Sequence, residues 1–427
     1  MRILIAVLAV GVVLSAPYGS TALAEADQAG SVFKLQREPL PVSRAGEVPM
    51  KGYGISPITE MPPGIDAVEA MGTKVKLGMA GLDRLWVVLA KSSRKQKRHD
   101  RLYVDTNGDG RFERAECYDI TRTKKPVRVL RSERQYHYVE VTPIKLVGKQ
   151  GASPYWIGLL TYQYERGAYI RCGSVTCATG KVRFGDKDLR LAIYEPSLSG
   201  RFDRGIDLPG EEAGGMGSCC QLLLDANGNG QFDRLNLRDM GFENRWLTRL
   251  VRIGGTYYEL KVAADGGSIR ITPSKPKVGT LKIPEHVGSA SVIGPAFATI
   301  VTSKDKQLEL PAGTYAVHRY EYRRGSDTLH AAGLKEEGQF EIKAGQTASF
   351  RAGAPLRLGV ICRSDAPNTQ GSRNLAPKNV RISMALEDCA GRRVQDLRTG
   401  TGRPPAPRLK IVGPTGKTVL DAAFKYG

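Results

Sequence analysis

A mainly β protein is predicted by three features of the 427-residue chain. Short runs alternate apolar and polar residues, helix-period patterns are scarce, and the same order of runs recurs after roughly a hundred residues. The expected architecture is a pair of duplicated antiparallel β modules, over residues 71–165 and 166–285, followed by a β-sandwich region over 286–427. That last region reads as one unit or as two subdomains, 286–352 and 353–427.

The amino terminus is expected to be removed. Arg2 precedes an apolar stretch from Ile3 to Leu14, and Ala22-Leu23-Ala24 before Glu25 has the small-x-small pattern of a signal-peptidase site, so residues 1–24 read as a signal peptide. The apolar stretch is shorter than the roughly 20 residues a membrane span needs, and no later segment supplies one. Export to a periplasmic or extracellular space follows. Residues 25–70, rich in Pro and Gly, read as an extended leader with little regular structure.

The first module opens with Lys74-Val75-Lys76-Leu77-Gly78, whose alternation suits a half-buried strand. Arg84-Leu85-Trp86-Val87-Val88-Leu89 reads as a more buried one, and Leu102-Tyr103-Val104 runs directly into an acidic loop. The second module repeats this order with Lys181-Val182-Arg183-Phe184-Gly185, Leu189 to Tyr194, and Gln221-Leu222-Leu223-Leu224 before a second loop. Trailing strands are expected at Val127-Arg128-Val129-Leu130 and Tyr136 to Val141 in the first copy. In the second they fall at Leu250 to Ile253 and Thr256 to Val262, with Gly254-Gly255 as the turn. A third string, Glu195 to Asp203, keeps the Gly, Phe and Asp of the loops but has Ser at the central positions, and no metal is expected there.

The two loops carry the chemistry. A Ca2+ ion takes six to eight oxygen ligands, and a twelve-residue loop can offer them from positions 1, 3, 5, 7, 9 and 12 with Gly at 6 for the turn. In the first loop Asp105, Asn107 and Asp109 fall at 1, 3 and 5, Gly110 at 6, the Arg111 carbonyl at 7, Phe112 at 8, Glu113 at 9 and Glu116 at 12. The second has Asp225, Asn227, Asn229, Gly230, the Gln231 carbonyl, Phe232 and Asp233, but Asn236 at position 12. It lacks a bidentate carboxylate there and is expected to bind more weakly. A tight turn alone would favour Asn, Asp and Gly, but it requires neither the acid at position 12 nor the recurring Phe.

Both loops resemble the calcium loops of the EF-hand family over about twelve residues each. The departure lies upstream, where that family has a helix and this chain has strands, so the resemblance implies the metal chemistry and not the sensor behaviour. Leu102-Tyr103-Val104-Asp105 and the ending Phe424-Lys425-Tyr426-Gly427 are similar to secreted proteins of the planctomycete type with duplicated β modules. Leu308 to Val317, followed by Phe340 to Thr347, resembles prealbumin-like or Cna-B-like β-sandwich modules, which implies architecture only.

Charge and cysteines bound the partners. The formal net charge is +20, concentrated locally at Lys91 to His99 and from Arg122 to Arg134. For an exported chain the expected polyanion is an anionic polysaccharide or cell-envelope polymer, not nucleic acid. Seven cysteines in such a compartment suggest up to three disulfides, with Cys362 and Cys389 the simplest pair. Cys172 and Cys177 lack the spacing and His neighbours of a zinc site. None of the five histidines forms a zinc-hydrolase motif, and a serine nucleophile elbow is absent. Adjacent Glu211 and Glu212 read as solvated acids. The sequence thus favours an exported calcium-binding structural or interaction protein over the alternative, a polysaccharide-active enzyme with calcium as a structural ion.

Overall fold

Alternating runs become strands because every second side chain faces a core. The computed structural model describes residues 30–40, 48–79, 82–96, 98–120, 137–147, 154–164, 167–206, 219–232, 243–333, 338–364, 380–400, 402–404, 406–412 and 414–423. The chain is nearly all β, with several antiparallel sheets and no α-helix among the described residues. The expected signal peptide, the run Val127–Leu130, the basic stretch Arg122–Arg134, Glu211 and Glu212 lie outside them, and no described helix is long and apolar enough to cross a membrane.

The first sandwich faces two sheets together. One has the strand order Ser56–Pro57, Glu69–Met79, Leu82–Lys91, Arg101–Val104, Cys117–Asp119, and the other the order Lys51–Gly54, Gly167–Ser174, Tyr155–Tyr164, His137–Leu146. Val75, Leu85 and Leu102 from the one meet Ile144, Ile157 and Ile170 from the other in a closed apolar core. The second sandwich repeats the order. Its first sheet runs Gln36–Pro39, Thr176–Phe184, Lys187–Tyr194, Gln221–Leu224, Asn244–Trp246, and its second Ser31–Lys34, Ser268–Ser274, Thr256–Val262, Leu250–Ile253. Val182, Leu191 and Leu222 pack there against Tyr258, Leu260 and Ile269. Gly254 and Gly255, with φ of 56° and 87°, make the turn between Leu250–Ile253 and Thr256–Val262, a left-handed pair that suits a two-residue hairpin.

The leader is more ordered than its composition suggests. Ser31–Lys34 and Gln36–Pro39 add one edge strand to each sheet of the second sandwich, and Lys51–Gly54 and Ser56–Pro57 do the same for the first. The first sandwich is therefore nested between two parts of the second. Pro and Gly are compatible with these edge positions because an edge strand leaves one row of backbone donors unpaired.

Beyond residue 275, a three-stranded sheet of Gln307–Pro311, Val278–Lys282 and Thr347–Ser349 faces a larger one. The larger sheet runs Ala298–Thr302, Val287–Ile293, Gly313–Arg324, Asp327–Ala332, Arg393–Arg398, Val380–Glu387, Arg357–Ser364. Leu281 and Leu310 meet Val292, Val317 and Leu329 between them. Strands from both expected subdomains share this sheet. The last hairpin, Arg408–Val412 with Thr418–Ala423, is a separate two-stranded ribbon.

The disulfide expectation is corrected: no two of the seven cysteines are joined by a disulfide. Cys362 faces Ile382 across the ladder, while Cys389 follows the other end of it, where Glu387 faces Arg357. At about 3.3 Å per residue the separation along the strands is roughly 17 Å, far beyond the Cα spacing a disulfide tolerates.

Candidate metal centre

Each acidic loop follows the four-residue fourth strand of its five-stranded sheet and precedes the three-residue edge strand paired with it. In the first, Asp105 follows Arg101–Val104, and its amide bonds to the Trp86 carbonyl at 3.0 Å. In the second, Asp225 follows Gln221–Leu224, and its amide bonds to the Arg190 carbonyl at 3.0 Å. Position 1 is thus fixed by the ladder in both.

Backbone curvature comes next. Gly108 and Gly110 have φ of 74° and 78°, and Gly228 and Gly230 have 74° and 80°, so positions 4 and 6 are left-handed in each loop. This curl turns the amides inward onto side-chain oxygens. Asp105 accepts from Gly108 at 2.8 Å and Gly110 at 3.1 Å, Asn107 from the Asp109 amide at 2.9 Å, and Asp109 from the Arg111 amide at 2.8 Å. The second loop repeats the ladder: Asp225 accepts from Gly230 at 2.8 Å, Asn227 from the Asn229 amide at 2.9 Å and Asn229 from the Gln231 amide at 2.8 Å.

Phe at position 8 pins each loop to the outer face of its sheet. Phe112 packs with Ile65, Val88 and Tyr103, its ring 5.6 Å from that of Trp86, and its amide bonds to the Pro63 carbonyl at 3.0 Å. Phe232 joins Leu40, Val48, Tyr194 and Leu223, with the Arg190 guanidinium 5.0 Å above its ring.

Glu116 closes the first loop. It is 4 % exposed and accepts from the Thr106 amide and hydroxyl, each at 2.6 Å, and from the Glu113 amide at 3.1 Å. Burial lifts the Asp105 carboxyl pKa above its ordinary value, and the Glu116 and Asp109 charges add to this against two backbone hydrogen bonds. Two buried carboxylates, Asp105 and Glu116, thus lie within a loop whose Asp109 and Glu113 are exposed.

In the second loop Asp233 and Asn236 lie outside the described residues. Sequence counting passes over Glu243. It is 2 % exposed, and its carboxylate accepts from the Ala226 amide at 3.1 Å and the Asn227 amide at 3.4 Å. One Asp225 carboxylate oxygen, Oδ1, is buried without a hydrogen-bond partner, a condition that costs about 1–3 kcal/mol unless something else satisfies it.

The donor set in both loops is hard oxygen, which suits Ca2+ rather than a soft metal. Among the described residues no group of three or more His, Cys, Asp or Glu side chains stands ready around one metal position. The Asp109 and Glu116 carboxylates are engaged with loop amides instead.

The third string has the same curl with different chemistry. Leu198 and Gly200 have φ of 61° and 67°, matching positions 4 and 6 of the other loops. Glu195 is fully buried and accepts from the Ser197 amide at 2.7 Å and from the Ser199 amide and hydroxyl at 3.3 and 3.1 Å, with Ser197 Oγ and Tyr155 Oη also donating to it. Hydroxyl groups fill the centre of this loop.

The tryptophans are structural. Trp246 is buried edge-on to His318, Trp86 lies beneath Lys74, and Trp156 packs on the Phe232 cluster. No protein-family model, curated protein or solved structure matches the chain.

Proposed function

We propose that this is an exported calcium-binding scaffold protein, in which two EF-hand-like loops brace a pair of β-sandwiches. The observation that carries this reading is the repetition of one loop at equivalent places in two sheets. Each has a buried position-1 Asp, the same left-handed glycines, the same Asx ladder and a Phe seated on the outer face. The buried Asp225 Oδ1 has no hydrogen-bond partner, which leaves that oxygen open to a cation.

The residues that would hold Ca2+ are Asp105, Asn107, Asp109, the Arg111 carbonyl, Glu113 and Glu116, then Asp225, Asn227, Asn229, the Gln231 carbonyl and Asp233. When bound, the ion supplies positive charge that offsets the carboxylates and ties each loop to its strands. Arg94, Lys95 and Arg98, exposed in the connection after Leu82–Lys91, are the contact offered to an anionic polysaccharide or envelope polymer.

Calorimetric titration of the mature protein with calcium tests the reading, with Asp105→Ala and Asp225→Ala as partners. Two sets of sites are expected in the parent and one in each variant, with a higher melting temperature in calcium than in chelator. No heat of binding in the parent rejects it. Calcium-dependent cleavage of a polysaccharide would instead make the protein an enzyme.

A further inference from the structure

We infer that Glu243, not the residue at the twelfth place by count, supplies the closing carboxylate of the second calcium site. The inference rests on the calcium reading above and identifies a ligand that the loop pattern does not contain.

The strand ladders make the case. Tyr103 faces Cys117 in the first sandwich, and Leu223 faces Asn244 in the second. Glu116 immediately precedes Cys117 and Glu243 immediately precedes Asn244, so the two acids occupy the same rung at the mouth of their loops. The hydrogen bonds agree. Glu116 receives the amide of Thr106, at position 2 of the first loop, and Glu243 receives the amide of Ala226, at position 2 of the second. Both acids are almost wholly buried.

The difference is only in how the chain arrives there. In the first loop a single 3₁₀ turn, Arg114–Glu116, leads straight into the strand. In the second, ten residues separate Phe232 from Glu243 in the sequence, against three between Phe112 and Glu116. Counting twelve from Asp225 stops at Asn236, while the ladder places Glu243 at the equivalent rung.

A second observation points to a ligand. Asp225 is 4 % exposed, and its Oδ1 has no hydrogen-bond partner. The first loop's Asp105 has both oxygens engaged by Gly108 and Gly110. The second site therefore pairs a free carboxylate oxygen with a buried carboxylate that returns from the next strand, an arrangement suited to a hard divalent cation. A cation held by both would clamp Gln221–Leu224 to Asn244–Trp246, so the second site need not be the weaker one.

The test is calcium calorimetry in an Asp105→Ala background, where only the second loop contributes heat. Adding Glu243→Gln is expected to lower the remaining affinity at least tenfold, while adding Asn236→Ala leaves it within twofold. Glutamine keeps the size of the side chain and an oxygen for the Ala226 amide. Urea melts in chelator check that the fold is retained, and Glu243→Asp, with its carboxylate drawn back, is expected to fall between parent and Gln. Unchanged affinity in Glu243→Gln, or a loss confined to Asn236→Ala, overturns the assignment of Glu243 while leaving calcium binding intact. Absence of second-loop heat in the Asp105→Ala protein also overturns it, and absence of all heat in the unaltered protein overturns the calcium reading itself.

Discussion

Tyr155 of the first sandwich donates a hydrogen bond to the buried carboxylate of Glu195 in the second. Burial, with the Glu195 charge beside it, holds the Tyr155 hydroxyl well above its ordinary pKa, so it remains a donor. The Glu195 loop also bonds to the first sandwich through Gly78, whose amide meets the Leu198 carbonyl at 2.9 Å. The loop with serines at its central positions is thus a seam between the two sandwiches.

Tyr155→Phe removes that donor while keeping the ring. It is expected to destabilise the protein by about 1–3 kcal/mol, the usual consequence of leaving a buried polar group a partner short, and urea unfolding measures it. Calcium heats should stay unchanged. A loss of one calcium site in this variant, or in Glu195→Gln, would mean that the third loop holds a metal after all.

Stability without calcium should depend on pH through Asp105. Its folded-state pKa lies above the ordinary 3.8, so the folded chain holds that proton more tightly than the unfolded chain does. The resulting contribution is complete below the ordinary value and is lost as pH rises through the folded one. In chelator, the urea midpoint of the parent is expected to fall relative to Asp105→Asn across that window. In calcium the trend reverses, because the ion requires the ionised carboxylate and its affinity rises with pH over the same range. Parallel curves for the two proteins in chelator would refute the assignment.

Thiol chemistry offers an independent check on the packing. A thiol-reactive dye added to the native protein is expected to label the exposed Cys362 first, with the half-buried Cys117 and Cys219 slower. Burial pushes the Cys172 thiol up to about 12 and raises those of Cys177 and Cys220, so these should react only on unfolding. All seven should titrate in denaturant without reductant; a smaller count would reveal a bridge.

The curl of the first loop was legible in the sequence because the residues that shape it are local. Position counting suffices when Asp105 and Glu116 are joined by one uninterrupted turn. Glu243 was hidden by the same rule, since its place is set by the rung where Leu223 meets Asn244. The short strands that follow Glu116 and Glu243 are themselves set by pairing across the sheet, so no local pattern marked either acid's rung. The leader strands were illegible for a different reason. Ser31–Lys34 pairs with Ser268–Ser274, and Gln36–Pro39 with Thr176–Phe184, partners that no local pattern can identify. Alternation marked the strands of the cores, where burial on one face imposes it. The cysteine pairing failed because parity and compartment say nothing of where two side chains sit on a ladder.

Phe112 makes the coupling between the first acidic loop and the fold measurable. It is 4 % exposed, its ring stands 5.9 Å from that of Tyr103, and it seals the outer face of the sheet whose inner face forms the first core. Phe112→Ala should cost about 3–5 kcal/mol, as aromatic truncation in a packed site does. It should also weaken calcium at the first loop, because the carbonyl and amides of positions 6 to 9 lose the anchor that orients them. The second loop has its own anchor in Phe232, on a different sheet, so its affinity should not move. Leucine at position 112 separates the two effects, since it restores most of the apolar burial and should recover both stability and binding. If Phe112→Ala lowers stability but leaves both calcium affinities unchanged, the loops hold their ligands without help from the sheet, and calcium cannot brace the sandwich through them.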